Sequence, residues 1–277
     1  MMRCDTCLRE ASLALEQTSE TPRLDAEILL AFVLSLSRSQ LYARLQDEVA
    51  DADVATFNTL VDRRKREPIA YITGKKSFWS LELNVNADVL VPRPETECLV
   101  VYCLEQVEKD DVVVIDCATG SGAIACALAT ERPQWTVLAS DYSLPALSVA
   151  NQNRTQYQLN SVHPIAMDWL TALADNTVDV VISNPPYIAP DDPHLLSHDL
   201  HAEPRQALVA ENNGLQAIES LVPEAARVLR QDGLLIVEHG FRQGEAVREI
   251  FKLYFRHVET LNDLSEQPRF TVGKEYK

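Results

Sequence analysis

The run Ser183-Asn184-Pro185-Pro186-Tyr187 has the residue types needed to hold a planar, conjugated NH2 group in front of an electrophile. The apolar, mostly β-branched residues before it, Val178, Val180, Val181 and Ile182, predict a buried strand, which puts Asn184 just past its carboxyl end. Open α/β sheets bind their ligands at such ends. Both prolines lack an N–H and have a fixed φ, so the turn is stiff and its carbonyls are free to accept. An NH2 group can then donate one N–H to the Asn184 side-chain oxygen and the other to the Pro185 carbonyl, with the Tyr187 ring on its face. The chemistry this implies is methyl transfer to an amino nitrogen. The plainer alternative is an Asn-Pro turn that merely ends a strand.

A second constellation supplies the other reactant. Asp116-Cys117-Ala118-Thr119-Gly120-Ser121-Gly122 follows a predicted strand and opens a helix, so its glycines bring backbone N–H groups close to a ligand. Asp141 ends the next strand about 20 residues on, where a carboxylate accepts from ribose hydroxyls. Asp168 and Trp169 follow the third strand and suit the amino group and ring face of adenine. A dinucleotide would also use such a loop, but the third glycine of its pattern is missing: Ala125 and Cys126 lie there instead. S-adenosylmethionine carries no phosphate. The order of these strand ends, with Asn184 on the fourth, is that of a class I methyltransferase.

The elements that must position these residues are legible in outline. From Glu95 onward strands and helices alternate, which predicts a doubly wound, mostly parallel sheet. The α/β fold class expected is therefore a Rossmann-like methyltransferase domain over 93–277. Residues 1–73 carry helix-period apolar positions and read as a small helical domain, with Thr21-Pro22 opening a helix that carries Leu24, Ile28, Leu29 and Phe32 on its apolar side. Between them, 74–92 alternates apolar and polar residues as a β-ribbon linker does.

Composition narrows the function classes. The chain has 277 residues, 46% of them hydrophobic, enough for two cores without a metal or disulfide framework. Its six cysteines hold one close pair, Cys4 and Cys7, so no zinc ribbon is expected and reduced thiols fit a cytoplasmic location. Asp5, Glu10 and Glu16 argue against a targeting peptide, and no run approaches membrane-spanning length. With 41 acidic against 25 basic side chains the formal charge is −16, which disfavours stable nucleic-acid binding. The local exception, Arg63-Arg64-Lys65-Arg66 with Lys75-Lys76, is either a solvated face or a docking patch for an acidic partner.

Beyond these readings, the chain resembles the peptide chain release factor glutamine methyltransferases along nearly its whole length. The likeness is carried by Glu67-Pro68-Ile69-Ala70-Tyr71-Ile72-Thr73-Gly74, Val91-Pro92-Arg93-Pro94-Glu95-Thr96-Glu97, Thr119-Gly120-Ser121-Gly122, Asn184-Pro185-Pro186-Tyr187, Glu203-Pro204-Arg205-Gln206-Ala207-Leu208 and Glu238-His239-Gly240. The segment beginning at Pro92 sets it apart from sister enzymes that methylate a ribosomal-protein glutamine and from DNA adenine methyltransferases. The resemblance implies methylation, by S-adenosylmethionine, of the glutamine side-chain amide in the Gly-Gly-Gln loop of release factors. It also implies a helical domain that helps hold that protein. Carried over by position, Ala118 to Gly122, Asp141, Trp169 and Asn184 contact the cofactor and Asn184 to Tyr187 the substrate, with Arg93 and Glu95 near the mouth of the site. Ala118 stands where the family usually has glycine, and Ala202 where it commonly has an aromatic residue. The rival readings are methylation of a ribosomal-protein glutamine, methylation of adenine in nucleic acid, and a binding module that keeps the fold without the activity.

Overall fold

The computed structural model describes residues 2–196 and 198–277. Two compact units emerge, Met1–Lys75 with Pro193–Ala202, and Lys76–Asp192 with Glu203–Lys277.

The first unit is helical. It contains β1 (Met2–Arg3), α1 (Cys4–Leu15), α2 (Pro22–Val33), α3 (Arg38–Ala43), β2 (Glu48–Val49), α4 (Asp51–Arg64) and α5 (Ile69–Thr73), with α9 (His198–His201) from the inserted segment. Leu8, Leu15, Leu29, Leu30, Phe57 and Val61 form its core. Helix α2 opens at Pro22 as expected, because a missing N–H costs nothing at the first helical position. Its buried face differs from the predicted one: Phe32 is 49% exposed, while Asp25 and Glu27 are buried. The reason is pairing. Arg64 Nε donates to Asp25 at 2.6 Å, and Glu27 accepts from Arg23 and Arg38 at 2.8 Å and from Tyr42 at 2.6 Å. The basic run is likewise largely neutralised within this unit: Arg64 is buried on Asp25, Arg63 pairs with Glu67 and Lys65 with Asp62. Three of its four charges are therefore paired with local carboxylates.

The second unit is α/β. It begins with the hairpin β3 (Lys75–Phe78) and β4 (Leu81–Asn84), followed after a 3-10 turn (Pro94–Thr96) by α6 (Glu97–Gln106). The alternation predicted a ribbon here, and Phe78, Leu81 and Leu83 bury its apolar face in the core of this unit. Then come β5 (Val113–Cys117), α7 (Ala123–Glu131), β6 (Thr136–Asp141), α8 (Leu144–Gln156), β7 (Val162–Ala166) and β8 (Val178–Ser183). Short α10 (Arg205–Leu208) and α11 (Glu211–Gly214) lead to α12 (Gln216–Val228), β9 (Leu229–Glu238), α13 (Gly244–Lys252), β10 (Phe255–Asn262) and β11 (Pro268–Tyr276).

The seven strands lie in the order β10-β11-β9-β8-β5-β6-β7, parallel except for β11, which runs antiparallel to β9 and β10. Apolar residues fill both faces. Val180 and Ile182 enter the core that holds α6 and α7, and Val181 enters the one that holds α12 and α13. This double burial is why the strand before Asn184 is a nearly continuous apolar run. The order reverses between β5 and β8, the crevice where such sheets bind ligands. Among the described residues, no helix is long and apolar enough to cross a membrane.

Candidate active site

The carboxyl ends of β5, β6 and β8 open into one cavity. After β5, Ala118 and Gly120 adopt φ of 59° and 55°, and Gly122 at 79° starts α7. These left-handed residues fold the loop back on itself. Gly122 has its own reason to be glycine: a Cβ there would sit 3.1 Å from the Ala150 Cβ on α8. The loop is tied to its neighbours by Thr119 N donating to Ser140 O at 2.9 Å and Gly120 N to Asp141 Oδ2 at 3.0 Å. Asp141 Oδ1 accepts from Ser143 N at 2.9 Å, so both oxygens are oriented while keeping lone pairs for a ligand. Met167, Asp168 and Trp169 line the same cavity beyond β7, with Trp169 held at φ 47°.

Beneath the loop lies Asp116, 1% exposed and missed by sequence reasoning as a site residue. Its Oδ2 accepts from Thr119 Oγ1 at 2.5 Å and from Ala125 N at 3.1 Å. Its Oδ1, by contrast, is the buried side-chain atom among the described residues that has no partner. Burial pushes the carboxyl up to about 7 against those two donors, and burial also raises Asp141. Two desolvated carboxylates in one cavity favour a ligand that brings N–H and O–H donors and positive charge. The one arginine in the cavity lining, Arg93, is ion-paired with Glu203. A dinucleotide pyrophosphate would meet repulsion here. The ammonium, sulfonium and ribose diol of S-adenosylmethionine fit these acceptors.

Asn184 enters the cavity from the end of β8, with Pro186 beside it. Ser183 Oγ donates to Cys117 O at 2.6 Å, which locks this strand end to that of β5. The Asn184 amide is held by a second residue of the cavity wall: Nδ2 donates to Thr96 Oγ1 at 3.1 Å, and Thr96 Oγ1 donates to Glu238 Oε2 at 2.6 Å. Tyr187 Oη donates to Glu238 Oε1 at 3.1 Å. Glu238 ends β9, where Ser183 and Val237 are register partners, so the parallel pairing brings Asn184 and Glu238 to the same level. Thr96 comes from the 3-10 turn before α6.

Of the expected residues, Ala118, Thr119, Gly120, Ser121, Asp141, Asp168, Trp169, Asn184, Pro186 and Arg93 line one cavity. Gly122, Pro185, Tyr187 and Glu95 are not in its wall: Gly122 shapes the helix start, and Tyr187 turns its hydroxyl toward Glu238. Thr96 and Glu238 escaped sequence reasoning as site residues although both fall within the segments that carry the family likeness. For Glu238 the available signal was a carboxylate closing the apolar run Leu234 to Val237; Thr96, between Glu95 and Glu97, carried none.

This sheet order, with a glycine loop after β5, a carboxylate ending β6 and an Asn-Pro turn after β8, defines a Rossmann-like methyltransferase. Residues 96–273 match the methyltransferase small domain, and residues 6–74 match the PrmC N-terminal domain. The solved methyltransferase from Pyrococcus furiosus shares the fold at a TM-score of 0.53 with 16% identity, over 72% of this chain and 91% of that one. The release factor glutamine methyltransferase of Escherichia coli (strain K12) is 41% identical over 272 residues, 98% of each chain. Its counterpart in Coxiella burnetii (strain RSA 493 / Nine Mile phase I) is 40% identical over 277 residues, 99% of each. The chain belongs to the release factor glutamine methyltransferase family.

Proposed function

We propose that this protein methylates the side-chain amide nitrogen of the glutamine in the Gly-Gly-Gln motif of peptide chain release factors. The observation that carries the reading is the convergence of the Asn184 turn with the cavity lined by Ala118–Ser121, Asp116 and Asp141 at one sheet crevice, in a chain of this family. When bound, S-adenosyl-L-methionine supplies an electrophilic methyl group on a sulfonium. Asp116 and Asp141 hold its ammonium and ribose, and Asp168 with Trp169 covers the adenine.

An amide nitrogen is a weak nucleophile because its lone pair is delocalised, a conjugation reflected in a rotation barrier of about 18–20 kcal/mol. Asn184 Oδ1 and the Pro185 carbonyl accept its two N–H bonds and set its plane, so the lone pair points into the cavity. The same acceptors stabilise positive charge as it grows on nitrogen, and the surplus proton leaves to water. Arg93 and Glu95 flank the mouth. The helical domain, 1–73, docks the protein substrate, the ribbon 74–92 connects it, and 93–277 performs the transfer. The acidic balance fits a cytoplasmic enzyme that forms no stable complex with nucleic acid.

Mass spectrometry of an unmodified release factor, after incubation with the protein and S-adenosylmethionine, tests the reading. One added methyl on the motif glutamine is expected. Asn184→Ala should lower turnover by about 100-fold or more, the scale of losing one oriented polar contact to the reacting group, and leave cofactor affinity nearly unchanged. Equal losses in turnover and cofactor affinity would mean that Asn184 does not orient the reacting amide.

A further inference from the structure

We infer that Thr96 and Glu238 are positioning residues that hold the Asn184 amide with its oxygen toward the cavity, so that the site accepts N–H donors and rejects carbonyl or carboxylate groups. The inference rests on the amide-methylation reading and concerns how the site selects for it.

The argument is one of hydrogen counting. An ionised carboxylate has no proton to give, and a threonine hydroxyl has one. Thr96 commits that proton to Glu238 Oε2 at 2.6 Å, so toward Asn184 it offers only lone pairs. At 3.1 Å only the Asn184 Nδ2 can satisfy them, which leaves Oδ1 on the opposite side of the planar amide. With Glu238 neutral the chain can reverse. The carboxylic acid donates to Thr96, Thr96 donates to Asn184 Oδ1, and an NH2 group then faces the N–H bonds of the substrate.

The ionised state is balanced by its surroundings. Glu238 is 1% exposed at the end of β9. Tyr187 Oη donates to it, Arg269 on the neighbouring β11 favours its charge, Glu95 on the 3-10 turn opposes it, and the Cys98 thiol lies within electrostatic range. Burial is the largest effect and pushes its carboxyl up to about 7. The acceptor orientation is thus present above that pH and lost as the pH falls through it, since the substrate amide itself does not titrate in this range.

The test compares Thr96→Val, Thr96→Ser and Glu238→Gln in the full-length protein. Thr96→Val keeps the shape and removes the hydroxyl. It should lower kcat/KM for the release factor by about tenfold or more, as expected when an aligned polar contact is lost, with cofactor affinity unchanged by calorimetry. Thr96→Ser should restore most of the activity. At saturating S-adenosylmethionine, which takes the Asp116 ionisation that governs cofactor binding out of the profile, wild-type kcat/KM for the release factor should rise with pH through about 7, and Glu238→Gln should lack that limb. A readout independent of turnover is NMR of the Asn184 side-chain amide. Its protons should exchange slowly and titrate near neutrality in the wild type and in Thr96→Ser, and exchange fast in Thr96→Val. The inference is overturned if the valine variant matches wild type in kcat/KM and pH profile, or if serine gives no rescue. Should Thr96→Val fail to fold, the pH profile of Glu238→Gln decides, and retention of the neutral limb there overturns it. If wild type leaves release factors unmethylated while the amide resonances titrate as described, the functional reading falls and the orientation stands.

Discussion

Ala118 shows how one methyl group can store strain in the wall of a cavity. A glycine is expected at this place, and the alanine there is held at φ 59°, in the left-handed region where a Cβ crowds the backbone. Its neighbours impose the angle, because Thr119 N and Gly120 N are bonded to the next strand end. Ala118→Gly relieves the crowding but adds backbone freedom to the unfolded chain. The net gain should be about 0.5–1 kcal/mol, seen as a rise of roughly 1–3 °C in the melting temperature. An unchanged or lower melting temperature would mean that the loop relaxes around the alanine. Trp169, at φ 47° in the same cavity wall, is a second residue whose backbone is set by the site rather than by its own preference.

The turn that carries Asn184 and Tyr187 is supported by another turn. Three successive residues of α11 and its end, Asn212, Asn213 and Gly214, have φ of 54°, 55° and 82°, and this left-handed run lies against the Tyr187 carbonyl. Gln243 bridges the two by donating to Tyr187 O at 2.9 Å and Asn213 O at 3.0 Å. A Cβ on Gly214 would lie 2.1 Å from Tyr187 O, so backbone must move. Gly214→Ala should therefore cost about 1–3 kcal/mol through forced φ and overpacking, and it should slow methyl transfer more than it weakens cofactor binding. Thermal melts paired with single-turnover rates check this. A variant with wild-type transfer rate would show that the Tyr187 turn does not depend on this support.

Across the chain, stability comes from separate apolar cores, one in the helical unit and one on each face of the sheet. The helical unit buries the Asp25–Arg64 pair at 2.6 Å with both side chains 4% exposed. Removing the carboxylate leaves a desolvated guanidinium, a change that typically costs about 3–5 kcal/mol. Asp25→Ala should accordingly abolish amide protection in α2 and α4 in hydrogen-exchange measurements while β5, β6 and β8 keep theirs and the cofactor still binds. Equal loss of protection in those strands would show that the two units unfold as one.

Apolar periodicity and turn chemistry carried most of the architecture, because burial on both faces of β5 and β8 leaves a local signature in the chain. The order of strands and helices, the glycine loop, Asp141 and the Asn184 turn were all legible on those grounds. Helix α2 shows where the signal misleads: paired carboxylates occupy its buried face and Phe32 lies exposed, since pairing with Arg64, Arg38 and Arg23 is a long-range fact. The same limit hid the hydrogen-bonded partners of Asn184 and Tyr187. Thr96 and Asn184 are 88 residues apart, and Tyr187 and Glu238 are 51 apart. Only the adjacency of β8 and β9, and the docking of the 3-10 turn against them, makes one hydrogen-bonded chain of the four. Likewise, that Asp116 keeps one oxygen unpartnered follows from how the loop closes over it. Residue type specifies which groups can donate or accept. The direction of each hydrogen bond is set by which neighbours the folded sheet brings within reach, because a proton shared along a network is assigned by the last partner in the chain.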